Sequence, residues 1–284
     1  MRKQPLKRIL LILAAILIVA VAVPWIIRGI RNDRTEVVDT SFASGPTVSR
    51  IKENGVLLVG TTGDYRPLSF LEPDGTYWGF DIDLAKAIAE ELEVDVRFIQ
   101  TSWPTLSSDV VAVPQKFDLA ISGITITDSR LETMFMSDGY LGNGKTILCR
   151  LSDVEKFKSI EDIDKPEVRV MVNPGGTNEQ FAKQNLTHST VTVHQKNEEI
   201  PGLIAEGDAD IMITEITEAP YYVSTDSRLA APLVGSPFTS SYIGVLMPKG
   251  QEDLLQMVNS ILQKMKENGS LKAIYEKYSF AYSF

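Results

Sequence analysis

Short apolar runs, each closed by glycine or a polar cluster, alternate along the chain with segments whose apolar residues fall at helical spacing. Residues 47–54 predict a short helix and residues 55–60 a buried strand. Residues 61–70 form the loop at that strand's carboxyl end, and Glu72-Pro-Asp-Gly75 is a turn with proline at its second position. Residues 79–83 read as the cap of a helix over 84–92, where Leu84, Ala85, Ile88, Ala89 and Leu92 share a face. Strands are predicted over 94–98, 117–121 and 145–149. Residues 101–106 form a loop and helix start, and 122–130 a polar loop. After Cys149 the pattern restarts. Strands over 168–172, 190–194 and 209–213 alternate with helices beginning at 177 and 200. A strand over 242–247 and helices over 251–268 and 271–280 close the chain.

Two sets of alternating strands and helices predict an α/β protein of two parallel-sheet lobes. Lobe one takes residues 48–149 plus 239–284, and lobe two residues 150–238. Crossings are expected near 148–153 and 235–242, with the C-terminal helices returning to lobe one. Ligands in such sheets sit beyond the carboxyl ends of the strands. Two facing lobes make one cleft, the usual place for a small-molecule site.

Residues 1–34 stand apart. Residues 9–27 are nineteen in a row without a charge, preceded by Arg2, Lys3, Lys7 and Arg8 and ending near Trp25. That is the length and flanking of a membrane-spanning helix. A cleaved signal peptide is the competing assignment, with Ala20-Val21-Ala22 as a cleavage site. The apolar run continues past those residues, which favours an uncleaved anchor. Either assignment exports the rest of the chain. Residues 35–47 are polar and read as a tether.

Residues 1–34 hold seven Lys/Arg and one acid, which leaves 21 basic and 36 acidic residues beyond them. This acidic balance argues against nucleic acid as a partner. The one cysteine excludes an intrachain disulfide, and Ile147 and Leu148 beside it point to a buried thiol. With His188 and His194 the only histidines, no metal site of zinc-ligand spacing exists. No cofactor is expected.

The most informative stretch is 168–186. Alternating Val168, Val170 and Val172 make a strand. Asn173-Pro174-Gly175-Gly176 breaks it, and Thr177 or Asn178 can cap the helix that follows. Strand, glycine turn and helix start together aim backbone N–H groups at an anion, although an ordinary tight turn has the same pattern.

Several motifs identify the chain's resemblance. Residues 79–83 with their helix, Phe117-Asp-Leu-Ala-Ile121-Ser-Gly-Ile-Thr-Ile-Thr127, Arg130 and Phe135-Met-Ser137 resemble periplasmic solute-binding proteins of the polar amino-acid transporter type, over about 48–280. The resemblance implies a two-lobed, type II periplasmic-binding-protein-like fold, here with an N-terminal transmembrane helix. A narrower resemblance lies within it. Residues 61–69, Thr101-Ser-Trp-Pro-Thr-Leu106, Gly144-Lys-Thr146, Val172-Asn-Pro-Gly-Gly-Thr-Asn-Glu179, His194-Gln-Lys-Asn197 and Thr214-Glu-Ile-Thr-Glu-Ala219 are similar to cyclohexadienyl dehydratases. Those enzymes dehydrate and decarboxylate prephenate or arogenate on the same fold, giving phenylpyruvate or phenylalanine.

The resemblance implies that Arg130 holds a substrate carboxylate, for which its planar fork is suited. Ser122 and Thr125 add hydroxyl donors. Lys145, Asn173, Gly176, Thr177, Asn178 and Asn197 contribute to the same substrate site. Asp64 can accept from a ligand amine or hydroxyl, or cap its loop. Trp103 and Tyr65 stack on a ring or belong to the core. In the transporter relatives the position of Glu215 is commonly an Asp holding the ligand's ammonium; the extra methylene here alters that contact. Glu218 matches the dehydratase general acid, which needs a raised pKa; a solvated helix-start glutamate is the plainer alternative. The chain departs from the dehydratases at Glu198-Glu199-Ile200-Pro201-Gly202, where an apolar helix start is expected, and in its anchor. A membrane-tethered amino-acid receptor feeding an ABC permease is the second functional expectation. No output domain follows the second lobe, so a sensor is not expected.

Overall fold

Helix α1 (Pro46–Asn54) begins on a proline, whose fixed φ suits the first turn, and stops at Gly55 in the left-handed region, φ 65°. The computed structural model describes residues 45–280. The anchor expected at 9–27 and most of the tether lie outside the described residues. Among those described, no helix is long and apolar enough to cross a membrane.

Strand β1 (Val56–Thr61) follows, then a small antiparallel meander of β2 (Asp64–Tyr65), β3 (Ser69–Leu71) and β4 (Tyr77–Trp78), with the expected Glu72–Gly75 turn between the last two. Next come α2 (Phe80–Glu91), β5 (Asp95–Gln100), α3 (Leu106–Val110), β6 (Leu119–Ala120), α4 (Asp128–Thr133) and β7 (Met134–Met136). Strands β8 (Leu141–Asn143) and β9 (Lys145–Arg150) lead to the second set. It comprises α5 (Ile160–Ile163), β10 (Arg169–Val172), α6 (Thr177–Asn185), β11 (Thr190–Val193), α7 (Ile200–Glu206), β12 (Ile211–Glu215), α8 (Ala219–Thr225) and β13 (Leu229–Ala230). Strands β14 (Ser241–Ile243) and β15 (Leu246–Pro248) return, and α9 (Glu252–Asn268) and α10 (Ser270–Lys277) finish the described chain.

The lobes form around two five-stranded sheets, ordered β5-β1-β6-β15-β7 and β11-β10-β12-β9-β13. Each is mixed rather than parallel. β1 runs parallel to β5 and β6, and β10 parallel to β11 and β12. β15 and β9 lie antiparallel to their neighbours. These are the strands by which the chain enters each lobe straight from the other. No helical crossover precedes them, and a parallel entry requires one.

Three further expectations are corrected. The strand at 145–150 pairs inside the second sheet, not at the end of the first lobe. The first crossing therefore falls before it, where β8 pairs antiparallel with β14 in a two-stranded ribbon. The single strand expected over 242–247 is two, β14 in that ribbon and β15 in the first sheet, separated at Gly244.

One core packs α2, α9 and α10 against the first sheet; Leu84, Ala85, Ile88 and Ala89 face it together with Leu254, Val258 and Leu262. The C-terminal helices thus return as expected. Asp253 of α9 reinforces this by accepting from the backbone N–H groups of Thr47 (2.8 Å) and Val48 (2.9 Å), capping α1 from a distance. Cores on both faces of the second sheet include Val170, Val172, Ile211 and Ile213, and Met171, Ile200, Ile204 and Met212. Cys149 is fully buried there, and burial pushes its thiol up to about 11.

Candidate active site

The register of β9 against β12 sets Lys145 opposite Glu215, so their side chains leave the sheet together. Lys145 Nζ donates to Glu215 Oε1 at 2.5 Å, Thr177 Oγ1 at 2.6 Å and Asn178 Oδ1 at 2.6 Å, which uses all three ammonium protons. From the first lobe, Thr125 Oγ1 donates to Glu215 Oε1 at 3.1 Å and the Tyr65 hydroxyl donates to Oε2. Burial alone would raise the Glu215 carboxyl. The Lys145 charge and hydrogen bond outweigh it and hold the group below its ordinary range, as an anion. Burial pulls Lys145 down while Glu215 opposes the pull.

The glycine turn lies beside this pair. Gly175 has φ 73°, which only glycine adopts freely, and a Cβ there would come within 2.6 Å of Pro104 Cα. The turn therefore packs closely on the 101–106 loop of the first lobe. Gly176, not Thr177 or Asn178, is the N-cap of α6, without a side-chain cap. The expected capping side chains instead accept from Lys145. The N–H of Gly175 is also taken locally, donating to Glu179 Oε2 at 2.6 Å.

Arg130 lies in α4, whose N-cap Thr127 accepts from the Arg130 backbone. Its Nη1 donates to the Thr125 carbonyl at 2.5 Å. Among the described residues it forms no ion pair. Burial draws its pKa down and Glu215 opposes that. Tyr65, Trp103, Gly123, Thr125 and Arg130 from the first lobe face Asn173, Gly176, Thr177, Asn178 and Glu215 from the second across a cavity. The space between them is about 10 Å³, room for about one water molecule.

A second polar cluster adjoins it. Glu218 is the N-cap of α8 and has no exposed surface. Its Oε2 is 2.5 Å from Thr214 Oγ1, and its Oε1 accepts from Asn197 Nδ2 at 2.6 Å. Burial, reinforced by Glu215 and Asp64, outweighs these two hydrogen bonds and pushes the carboxyl up to about 8. Glu218 therefore carries a proton at neutral pH, and the solvated alternative does not hold. Asn197 also donates to the Asp64 carbonyl at 3.1 Å, and Trp103 Nε1 to Asp64 Oδ1 at 3.0 Å. Burial raises the Asp64 carboxyl as well.

The fold thus gathers Trp103, Thr125, Arg130, Asn173, Gly176, Thr177, Asn178 and Glu215 on the cavity wall, with Asp64, Lys145, Asn197 and Glu218 immediately behind. Ser122 is the correction. It is fully buried, and its Oγ accepts from the Thr62 N–H at 3.0 Å and lies 2.8 Å from Thr62 Oγ1. It ties two first-lobe loops together and does not line the cavity. Thr214 and the Tyr65 hydroxyl were not anticipated as partners of the two glutamates. Only position, at or beyond a strand's carboxyl end, could have suggested them. The charged residues at 198 and 199 face outward, Glu199 toward Lys196 and His194, and the apolar helix start is supplied by buried Ile200.

The chain is similar in sequence and fold to known proteins. The family model of bacterial extracellular solute-binding proteins, family 3, matches residues 57–281. A cyclohexadienyl dehydratase of Pseudomonas aeruginosa is 38% identical over 231 residues, 81% of this chain and 85% of that protein. The crystal structure of an ancestral amino acid-binding protein, described as a precursor of cyclohexadienyl dehydratase, superposes with a TM-score of 0.76 at 39% identity, covering 82% of this chain and 99% of that one. An ancestral cyclohexadienyl dehydratase structure is 49% identical with a TM-score of 0.52, covering 83% and 97%.

Proposed function

The chain belongs to the bacterial extracellular solute-binding proteins, family 3, and within that family we propose that it is a cyclohexadienyl dehydratase acting on prephenate or arogenate. The observation that carries this reading is Glu218, a carboxyl kept protonated by burial beside a cavity lined by Arg130, which forms no ion pair among the described residues. A receptor that only holds its ligand has no need of such an acid. Loss of a ring hydroxyl does need one.

In this reading the lobes close on the substrate. Arg130 takes a carboxylate in its planar fork, and Thr125, Asn173 and the 176–178 turn contact the rest. Trp103 and Tyr65 flank the ring. Glu218 gives its proton to the departing hydroxyl, and the ring carboxylate leaves as carbon dioxide. Aromatisation supplies driving force, so one acid and an anion clamp suffice. Glu215 holds Lys145, and through it Thr177 and Asn178, in place. The test is incubation of the full chain with prephenate while following phenylpyruvate, corrected for spontaneous acid breakdown. Turnover that vanishes in Glu218→Gln supports the assignment; absence of wild-type turnover rejects it.

The second reading, an amino-acid receptor working with an ABC permease, is favoured by the likeness to an ancestral amino acid-binding protein. Against it stand the two oxygens of Glu215, which already accept from Lys145, Thr125 and Tyr65 and leave little for a ligand ammonium. Tight calorimetric binding of a standard amino acid without prephenate turnover would establish it. Under either reading residues 9–27 hold the protein to the outer face of the cell membrane, and recovery of the chain in a carbonate-washed membrane fraction is the check.

A further inference from the structure

Dehydration as described above consumes one proton in each turnover. The ring carbon–oxygen bond breaks, and the hydroxyl leaves as water with the proton of Glu218. The bond to the ring carboxylate breaks too, its electron pair enters the ring, and carbon dioxide departs. Glu218 is left as a carboxylate without exposed surface, and a proton must return to it before the next cycle.

Three buried polar atoms without a hydrogen-bond partner among the described residues belong to side chains that touch this carboxyl or reach it, or one another, electrostatically: Asn197 Oδ1, the Tyr222 hydroxyl and Arg66 Nε. Asn197 touches Glu218 through its other amide atom. Tyr222 follows Glu218 by four residues at the start of α8, the spacing that puts two side chains on one helix face. Helical side chains also lean back over the preceding turn, toward Glu218 here. Burial, then the carboxyl of Glu218, pushes the Tyr222 hydroxyl well above its ordinary range, while Arg66 acts against them; all three groups are within electrostatic reach. Arg66 is half-buried and so partly reaches solvent, with its guanidinium 3.3 Å from the centre of the Phe70 ring. None of Asn197, Glu218, Tyr222 or Arg66 lines the substrate cavity.

A buried polar atom left without a partner is destabilising, so each of these three calls for one. Water can serve an amide oxygen, a hydroxyl and a guanidinium N–H together. We propose that Tyr222 and Asn197 hold a water-mediated path that returns a proton to Glu218 from outside the substrate cavity, with Arg66 at its outer end. Tyr222 touches neither substrate nor the breaking bonds. It is a positioning residue for proton supply. The inference rests on the dehydratase reading.

The test compares single-turnover and steady-state kinetics of the full chain with prephenate. Tyr222→Phe keeps the ring and its packing but removes the hydroxyl. The single-turnover rate should stay within about twofold of wild type, because Glu218 begins protonated. Steady-state kcat should fall about tenfold or more, and rising imidazolium buffer at constant pH should restore it. Arg66→Met is the second variant, should Tyr222→Phe not fold, and the same split is expected. Unchanged kcat in both variants overturns the proposal, as does an equal loss in the two kinetic regimes. A kcat that falls with viscogen alike in wild type and variants would assign reprotonation to lobe opening and also overturn it. Wild type without turnover rejects the dehydratase reading itself, an outcome distinct from turnover that ignores Tyr222.

Discussion

Glu218 and Glu215 lie three residues apart and are driven in opposite directions. Glu215 faces an ammonium and stays ionised; Glu218 has only neutral partners in a buried setting and keeps its proton. Glu218→Gln preserves shape but cannot supply a proton, and should cost about 10²–10⁴-fold in the rate of phenylpyruvate formation while calorimetric affinity for the product is kept. The protonated carboxyl is the active form, so kcat should be level below about 8 and decline above it. Folding stability follows the same proton. The native carboxyl titrates at about 8, above the ordinary value of 4.5, so the native state binds the proton more tightly than the unfolded chain. The associated stability is fully present below about 4.5 and is gone once pH has risen through about 8. Urea unfolding at pH 5 and pH 8 should show this loss in wild type and a smaller one in Glu218→Gln. At Arg130, lysine replaces a two-pronged donor by a point charge. The loss of one charged hydrogen bond, about 1.5–3 kcal/mol, should weaken ligand binding roughly 10- to 100-fold by titration.

At the level of elements, the glycine turn before α6 is a contact surface as much as a helix start. Gly175 is left-handed, and a Cβ there would meet the backbone of Pro104 in the opposite lobe. Gly175→Ala should lower stability by about 1–2 kcal/mol from backbone strain. It should also weaken ligand binding, because the added methyl keeps the turn off Pro104 and hinders lobe closure. Gly202 is the contrasting glycine. It lies within α7, has no positive φ, and a Cβ there meets nothing within 4 Å. Gly202→Ala should therefore raise stability by about 0.5–1 kcal/mol in denaturant titration, with ligand affinity unchanged.

The two lobes lie against each other around a space too small for a ring with two carboxylates. Entry therefore requires the lobes to part, and the β8–β14 ribbon with its flanking segments joins them. The closed form is held by contacts that cross the cleft: Tyr65 and Thr125 to Glu215, Asn197 to Asp64, and the ring of Trp78 near Tyr221, 6.2 Å between centroids. Solution scattering should show the ligand-free protein contracting when phenylpyruvate is added; an unchanged profile would argue against lobe motion. Tyr65→Phe removes one of these links and about 1 kcal/mol of closure, and a several-fold loss of product affinity with little change in the unfolding midpoint is the expected result.

Local pattern carried much of this protein. Strands such as 55–60 and 168–172 and the apolar face of α2 were legible because alternation and helical spacing report which side of an element is buried. The glycine turn and the polar loop leading to Arg130 were legible because they interrupt that pattern at strand ends, where ligands of α/β proteins sit. Pairing across distance was not legible. Nothing near Lys145 announces that it will stand opposite Glu215, 70 residues on; the antiparallel register of β9 against β12 decides it. That same entry of β9 made the second sheet mixed and moved the lobe boundary, and the return of β15 made the first sheet mixed. Ser122 had the chemistry of a ligand donor, but tertiary contact with Thr62 claimed it. The proton on Glu218 depends on enclosure by Asn197, Thr214 and the neighbouring lobe. A side chain's type is written in the sequence, whereas its pKa and its partners are set by the dielectric and the neighbours that folding brings to it.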